Sequence, residues 1–148
     1  MGLDMYLYKA VYIGANYNHN NIDGEVTLYR GNHKIDINKN KITYILEDYA
    51  YWRKANQIHR WFVDNMQDGV DNCAAYFYVS GYHILELLEC CKKVKENHDL
   101  AEELLPTQSG FFFGSTEYDE SYFQDIDDTI EMLRDVKEDD NFFYNASW

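Results

Sequence analysis

The chain of 148 residues has the commonest size of a globular domain, so we predict a single domain over residues 1–148. Hydrophobic residues make up 46% of it and aromatic residues 17%, with one proline, which indicates a folded chain rather than a disordered one. Its net charge of −13 disfavours direct binding to nucleic acid and to membrane headgroups, because both are anionic.

The acidic charge is concentrated in the second part of the chain. Residues 1–60 carry a net charge of +2 and residues 61–148 a net charge of −15. The three cysteines are an odd number without zinc-ligand spacing, which indicates a reducing compartment. The N-terminus resembles no signal peptide, and no apolar run is long enough to span a membrane. We therefore expect a cytoplasmic protein.

The first third of the chain predicts strands joined by turns. Residues 2–14 are rich in Tyr, Val and Ile without a helical period, which predicts a strand, and residues 15–25 form an Asn-rich loop. Turns are expected at Gly31-Asn32 and at 38–40. They separate three further strand segments, EVTLYR, HKIDI and KITYILED.

From about Tyr51 the apolar residues follow a helical period, which predicts a helix that ends at Asp68-Gly69. A strand, CAAYFYVS, precedes a second helix capped by Ser80. The short segment DLAEELLP ends before Pro106, because the residue that precedes a proline is disfavoured in the helical conformation.

The last third of the chain predicts a loop, a helix and a final strand. The loop, residues 107–119, wraps around a strand of three phenylalanines bracketed by Gly110 and Gly114. A third helix is capped by Asp119 or Ser121 and is followed by an aromatic strand, NFFYNASW. Together these elements predict an α+β fold, a single layer of antiparallel or mixed sheet with two to three helices packed on it.

The predicted helix near residues 51–62 carries two stripes. The apolar stripe contains Trp52, Ala55, Ile58 and Phe62. The polar stripe is formed by Arg53, Asn56, Gln57 and Arg60, with His59 at its border. Guanidinium and amide groups in this arrangement can hold an anionic or heterocyclic ligand. The alternative is a solvated helix face whose arginines balance the acidic part of the chain.

A second cluster of polar residues surrounds the two glycines of the 107–119 loop. Its candidate ligand-binding residues are Thr107, Gln108, Ser109, Ser115 and Thr116. Small hydroxyl residues beside glycines, just before a helix begins, can present backbone N–H groups to an anion. The alternative is that the glycines only turn the chain and the hydroxyls only cap it.

No catalytic residue, metal site or cofactor is predicted. The acidic pairs Asp127-Asp128 and Asp139-Asp140 lie in uniformly acidic segments that are typical of a solvated face. The stretch NHNNIDGE lacks the spacing of a calcium loop, and no nucleophile motif is present. An enzyme is therefore the weakest of the function classes considered.

Three blocks carry a resemblance to a known family. They are MGLDMYL, YWRKANQIHRWFV and LLPTQSGFFFGSTEYDE, followed by a C-terminal aromatic tail that ends in Trp. The chain resembles a family of small uncharacterised bacteriophage and prophage proteins over most of its length outside residues 14–41. The resemblance implies an accessory protein in a bacterial cytoplasm, and it implies no activity.

Two function hypotheses follow. In the first, the chain is a binding module that holds a small anionic ligand, such as a nucleotide, between the 51–62 helix and the 107–119 loop. In the second, it is an acidic module that binds or inhibits a host protein by presenting a surface like that of a nucleic acid.

Overall fold

The computed structural model describes residues 2–14, 18–20 and 24–148. The chain forms two compact units, one made of Met1–Lys9 with Asp48–Trp148 and the other of Ala10–Glu47. An antiparallel four-stranded sheet with helices packed on it confirms the predicted α+β class. None of the helices in the described part of the chain is long and apolar enough to cross a membrane.

The sheet has the strand order β4-β1-β6-β5. Its strands are β1 (Asp4–Tyr12), β4 (Tyr44–Arg53), β5 (Tyr76–Ser80) and β6 (Asn141–Ser147). The C-terminal strand β6 lies in the middle and pairs antiparallel with both β1 and β5. The aromatic tail is thus a central strand, and its residues Phe142, Tyr144, Asn145 and Ala146 are buried.

The described part of the chain contains four α-helices. They are α1 (Asn56–Met66), α2 (Gly81–Glu96), α3 (Ala101–Leu104) and α4 (Glu120–Leu133). Ser80 caps α2 by accepting a hydrogen bond from the His83 N–H, and Asp119 caps α4 by accepting one from the Tyr122 N–H, as predicted.

Aromatic packing holds the helices on the sheet. The rings of Phe62 in α1 and Tyr144 in β6 stack with centroids 3.8 Å apart, and both side chains are fully buried. The Trp52 indole N–H donates to the Thr129 hydroxyl at 2.8 Å, which joins β4 to α4. Sequence periodicity alone does not identify Thr129 as a core residue, because a threonine in an acidic helix is usually exposed.

The predicted start of the first helix is wrong. Trp52 and Arg53 belong to β4, and the helix begins only at Asn56. The strand continues because the Lys54 N–H donates to the Leu3 carbonyl at 2.8 Å, beside β1. Lys54 then takes a φ of +61°, which turns the chain out of the strand before α1.

The predicted strand of three phenylalanines is also wrong. Phe112 has a φ of +68°, and the Phe113 N–H donates to the Gly110 carbonyl at 3.2 Å, which makes this segment a turn. Phe113 is buried, whereas Phe111 is 80% exposed. A left-handed residue in the middle of the run prevents the alternation of a strand.

The smaller unit contains a hairpin around the turn predicted at Gly31-Asn32, formed by β2 (Leu28–Arg30) and β3 (His33–Ile35). Gly31 turns between the strands with a φ of +59°, which favours glycine. The Asn-rich loop predicted for residues 15–25 falls largely on 15–17 and 21–23, which lie outside the described residues.

Candidate functional site

Asn56 joins the start of α1 to the 107–119 loop. Its side chain is 1% exposed, and Nδ2 donates to the carbonyls of Phe113 at 3.1 Å and Ser115 at 2.8 Å. Its Oδ1 accepts the Gln108 N–H at 2.9 Å. The two polar clusters therefore meet, and Asn56 uses its hydrogen-bonding groups to fix the loop backbone.

Arg60, one turn further along α1, holds the beginning of the same loop. Its Nη1 donates to the Thr107 carbonyl at 2.9 Å, while Nε lies 3.5 Å from the Asp64 carboxylate. The Thr107 hydroxyl donates to the Thr116 carbonyl at 3.0 Å and closes the loop on itself. The guanidinium is thus engaged by a backbone carbonyl and a carboxylate.

A buried chain of hydrogen bonds runs through His59, which is fully buried. Its Nδ1 lies 2.7 Å from the Tyr144 hydroxyl, and its Nε2 lies 3.1 Å from both carboxylate oxygens of Asp71. A carboxylate can only accept, so Nε2 carries the proton and Nδ1 accepts from the hydroxyl. Burial lowers the pKa of His59, although the Asp71 carboxylate opposes this shift.

Gln108 extends this chain on its outer side. Its Nε2 donates to the Asp71 carboxylate at 3.3 Å, whereas its Oε1 is buried without a hydrogen-bond partner among the residues that the structure describes. The rings of Phe113 and Trp148 pack edge-on against His59, at 5.4 and 5.3 Å. This network of buried contacts supports the position of the 107–119 loop.

On the other side of the loop lies a cavity of about 240 Å³. It is bounded by the end of β4, the start of α1, the second half of the loop and the start of α4. The residues that line it are Arg53, Lys54, Gln57, Gly114, Ser115, Glu117, Asp119, Ser121, Tyr122 and Asp125.

The basic wall of the cavity is formed by Arg53 and Lys54. Arg53 Nη1 lies 3.6 Å from the Asp4 carboxylate, whereas the Lys54 ammonium makes no ion pair or hydrogen bond with any residue in the described ranges. Gly114 packs closely on Lys54, because a Cβ at Gly114 would lie 3.2 Å from the lysine Cβ. The ammonium is an uncompensated cation beside a tightly packed turn.

The acidic wall includes Asp125, which accepts a hydrogen bond from Gln57 Nε2 at 3.1 Å. Burial raises its pKa to about 6, although the Gln57 amide opposes this shift. Gln57 Nε2 also donates to the Tyr122 carbonyl at 3.3 Å. A carboxyl group with this pKa exchanges its proton close to neutral pH.

The predicted site residues fall in four places. Arg53, Gln57 and Ser115 line the cavity, and Asn56, Arg60, Thr107, Gln108 and Thr116 hold the loop that bounds it. His59 lies in the buried network behind the loop, and Ser109 is exposed near its start.

Sequence reasoning missed Lys54, Asp125 and Asp71. In a helix that begins at Tyr51, Lys54 would lie off the polar stripe. In the structure, β4 ends at Arg53 and the chain turns at Lys54, so that both residues line the cavity. Asp125 resembles its acidic neighbours on the solvated face of α4, and only its contact with Gln57 distinguishes it. No pattern around Asp71 indicates a partner for His59 twelve residues earlier.

Comparison with protein-family models, curated proteins and solved structures found no match for this chain. The resemblance to bacteriophage and prophage proteins therefore stays a prediction.

Proposed function

We propose that this protein is a binding module for a small ligand that carries an anionic group and hydrogen-bond donors. The observation that supports this most directly is the cavity of about 240 Å³ with an unpaired Lys54 ammonium on one wall. The exposed Lys54 ammonium would meet the anionic group, with the Arg53 guanidinium beside it, because charge-assisted hydrogen bonds to anionic oxygens are stronger than neutral ones.

The acidic wall refines the class of ligand. Glu117, Asp119 and Asp125 line the same cavity, and a simple anion would be repelled by their carboxylates. A ligand with donors or a cationic group at its other end satisfies both walls. Compact zwitterions and phosphate esters of amino-bearing compounds have this charge pattern.

The size of the cavity limits the ligand further. Pockets for drug-sized molecules have volumes of roughly 300–1,000 Å³. A cavity of about 240 Å³ is smaller than this, so it suits a small metabolite or only one end of a nucleotide. The nucleotide of the first hypothesis would extend out of the cavity into solvent.

Binding rather than catalysis is the activity proposed. The hydrogen-bonded chain of Tyr144, His59 and Asp71 resembles a catalytic relay in its residue types, but none of the three lines the cavity. A general acid or base must come within hydrogen-bond reach of its substrate. This network instead supports the position of the 107–119 loop.

The proposal is tested by a thermal-shift screen against amino acids, amino-sugar phosphates, mononucleotides and inorganic phosphate. A ligand that binds the folded protein raises its melting temperature in proportion to the logarithm of its concentration. We expect a shift for compounds that have both an anionic group and a donor group, and a smaller one for phosphate.

The variant Lys54→Ala should remove the shift, whereas Lys92→Ala, which deletes an exposed lysine on α2, should leave it unchanged. The proposal fails if no compound in the screen shifts the wild-type protein, or if Lys54→Ala and Lys92→Ala respond alike.

A further inference from the structure

The sheet carries a row of aromatic side chains on the face opposite the core. Strand alternation directs Met5, Leu7, Phe142 and Tyr144 to the helices. The intervening residues point the other way. They are Tyr6 and Tyr8 of β1, Tyr51 of β4, Tyr76 and Tyr78 of β5, and Phe143 of β6, which we call the tyrosine face.

The rings of the tyrosine face form one continuous surface. Tyr6 lies 5.2 Å from Tyr51 and 6.1 Å from Tyr8, and Tyr8 lies 6.0 Å from Tyr76, measured between ring centroids. Register places Phe143 opposite both Tyr8 and Tyr78, so the rings extend across all four strands.

Three of the six rings on this surface are exposed to solvent, and Tyr6, Tyr8 and Phe143 are half-buried. Tyr51, Tyr76 and Tyr78 are 46%, 58% and 55% exposed. Scattered exposed apolar residues are normal, whereas a contiguous exposed aromatic surface on a sheet is typical of an interaction site. Tyrosine contributes large contact areas at low entropic cost and is enriched at protein interfaces.

Two carboxylates, Asp4 and Asp48, lie beside the rings of the tyrosine face. Asp4 accepts a hydrogen bond from the Tyr51 hydroxyl and pairs with Arg53, while Asp48 forms no ion pair with a residue that the structure describes. Asp48 and Tyr49 line a shallow pocket of about 320 Å³ together with Tyr6, Ala50 and Tyr51. A carboxylate beside aromatic rings is the arrangement that attracts ammonium and guanidinium groups.

We propose that the tyrosine face docks a basic segment of a partner protein, with a lysine or arginine side chain seated in the pocket beside Asp48. Charge complementarity selects this occupant, since the chain has a net charge of −13 and the face has an unpaired carboxylate. Cation–π contact with the tyrosines adds to the attraction. The chemistry of the occupant follows from residues outside the ligand cavity, so this inference is independent of the proposed function.

Other occupants fit the charges less well. Aromatic sheets also bind single-stranded nucleic acid, but those surfaces place cations along the phosphate backbone. The cation beside these rings, Arg53, is already paired with Asp4. A second copy of the chain would bring Asp48 against an equally acidic face.

Fluorescence anisotropy with labelled probes tests the inference. The probes are a short poly-arginine peptide, a poly-lysine peptide and a poly-uridine oligonucleotide of equal length. We expect the peptides to bind and to weaken as salt increases, and we expect the oligonucleotide not to bind. Tyr76→Ala and Asp48→Asn should each weaken peptide binding by at least about fivefold.

Glu102→Gln is the matched control, because it removes one exposed carboxylate from α3, away from the tyrosine face. It should change binding less than about twofold, as expected for a charge that acts only through the overall field. Tyr76→Lys, which places a cation on the face, should abolish peptide binding while the circular dichroism melting curve shows the fold intact.

Three results would overturn the inference. The first is binding of the oligonucleotide in place of the peptides. The second is equal loss of peptide affinity in Asp48→Asn and Glu102→Gln, which would indicate non-specific attraction. The third is a dimer in sedimentation experiments that Tyr76→Lys dissociates, which would make the face a contact between two copies.

Discussion

The side chain of Asn56 accepts a hydrogen bond from the backbone N–H of Gln108 at 2.9 Å, across 52 residues of sequence. Two further bonds from the same amide reach loop carbonyls, so one residue at the start of α1 sets the path of the loop beside the cavity. The loop depends on this contact for its shape, and the cavity depends on the loop.

Asn56→Ala should destabilise the protein by about 2–4 kcal/mol, because it leaves one buried and two partly buried backbone groups without this partner, and an unsatisfied buried group costs roughly 1–3 kcal/mol. Urea unfolding followed by circular dichroism measures this loss. Asn65→Ala is the matched control, since Asn65 is exposed and bonds only to the Trp61 carbonyl of its own helix. An equal loss in both variants would show that Asn56 does not hold the loop.

Lys54→Gly should abolish ligand binding without lowering the free energy of unfolding. The left-handed φ of +61° costs a residue with a Cβ about 1 kcal/mol, and glycine adopts it freely. We therefore expect the free energy of unfolding to stay the same or rise by up to about 1 kcal/mol, while ligand binding in the cavity is lost with the ammonium. Lys54→Asn, which tolerates the same conformation, should behave alike. Retained binding in both variants would remove Lys54 from the site.

Asp125→Asn should stabilise the folded protein at pH 7 by about 1 kcal/mol, a value reduced for partial solvent screening. The raised pKa of about 6 means that the folded state binds this proton more tightly than the unfolded state. The protonated Asp125 carboxyl therefore stabilises the folded state fully below the unfolded pKa of about 4. This stabilisation is lost as pH rises through 6. The advantage of the variant should therefore vanish at pH 4. A constant difference between pH 4 and 7 would contradict the assignment.

His59 should make the protein sensitive to acid. Its lowered pKa means that the unfolded state takes up a proton more readily, so stability is full above the unfolded pKa of about 6.5 and falls as pH decreases below it. His59→Gln, which is neutral at every pH, should flatten the difference in unfolding free energy between pH 7 and 5. His33→Gln, at an exposed position of the smaller unit, is the matched control substitution. The same slope in wild type and His59→Gln would refute the assignment.

Phe62→Ala should cost about 3–5 kcal/mol, because it removes a fully buried ring stacked on Tyr144 and leaves a cavity. Phe111→Ala deletes the same atoms from a ring that is 80% exposed and should change stability by less than about 0.5 kcal/mol. Thermal and urea unfolding of the pair compare the two directly. A loss of less than about 1 kcal/mol in the unfolding free energy of Phe62→Ala would show that this ring is not part of the core.

The fold class could be predicted because long periodic segments and capping residues act locally. Ser80 and Asp119 cap helices through their own side chains, and the aromatic tail reads as a strand from composition alone. The failures occurred where long-range pairing overrides local pattern. Trp52 and Arg53 fit a helical stripe, yet pairing with β1 keeps them in a strand.

The sequence predicted which segments meet at the candidate site, but it did not predict which of their side chains are free to contact a ligand. Spacing identified the polar residues of α1 and the 107–119 loop, which meet in the structure. It could not tell that Asn56 and Arg60 would bond to loop carbonyls rather than face a ligand, because that depends on backbone groups brought together by the fold. Only the cavity in the structure identifies Lys54 and Asp125 as candidate site residues.

The central claim is that the cavity lined by Lys54, Gly114, Ser115 and Asp125 binds a small ligand. The most direct test is a titration of ¹⁵N-labelled protein, followed by amide chemical shifts, with the compound that gives the largest thermal shift. We predict saturable shift changes at Lys54, Gly114 and Ser115, and none at these positions in Lys54→Gly. Changes confined to other parts of the molecule, or no saturable change at any amide, would contradict the claim.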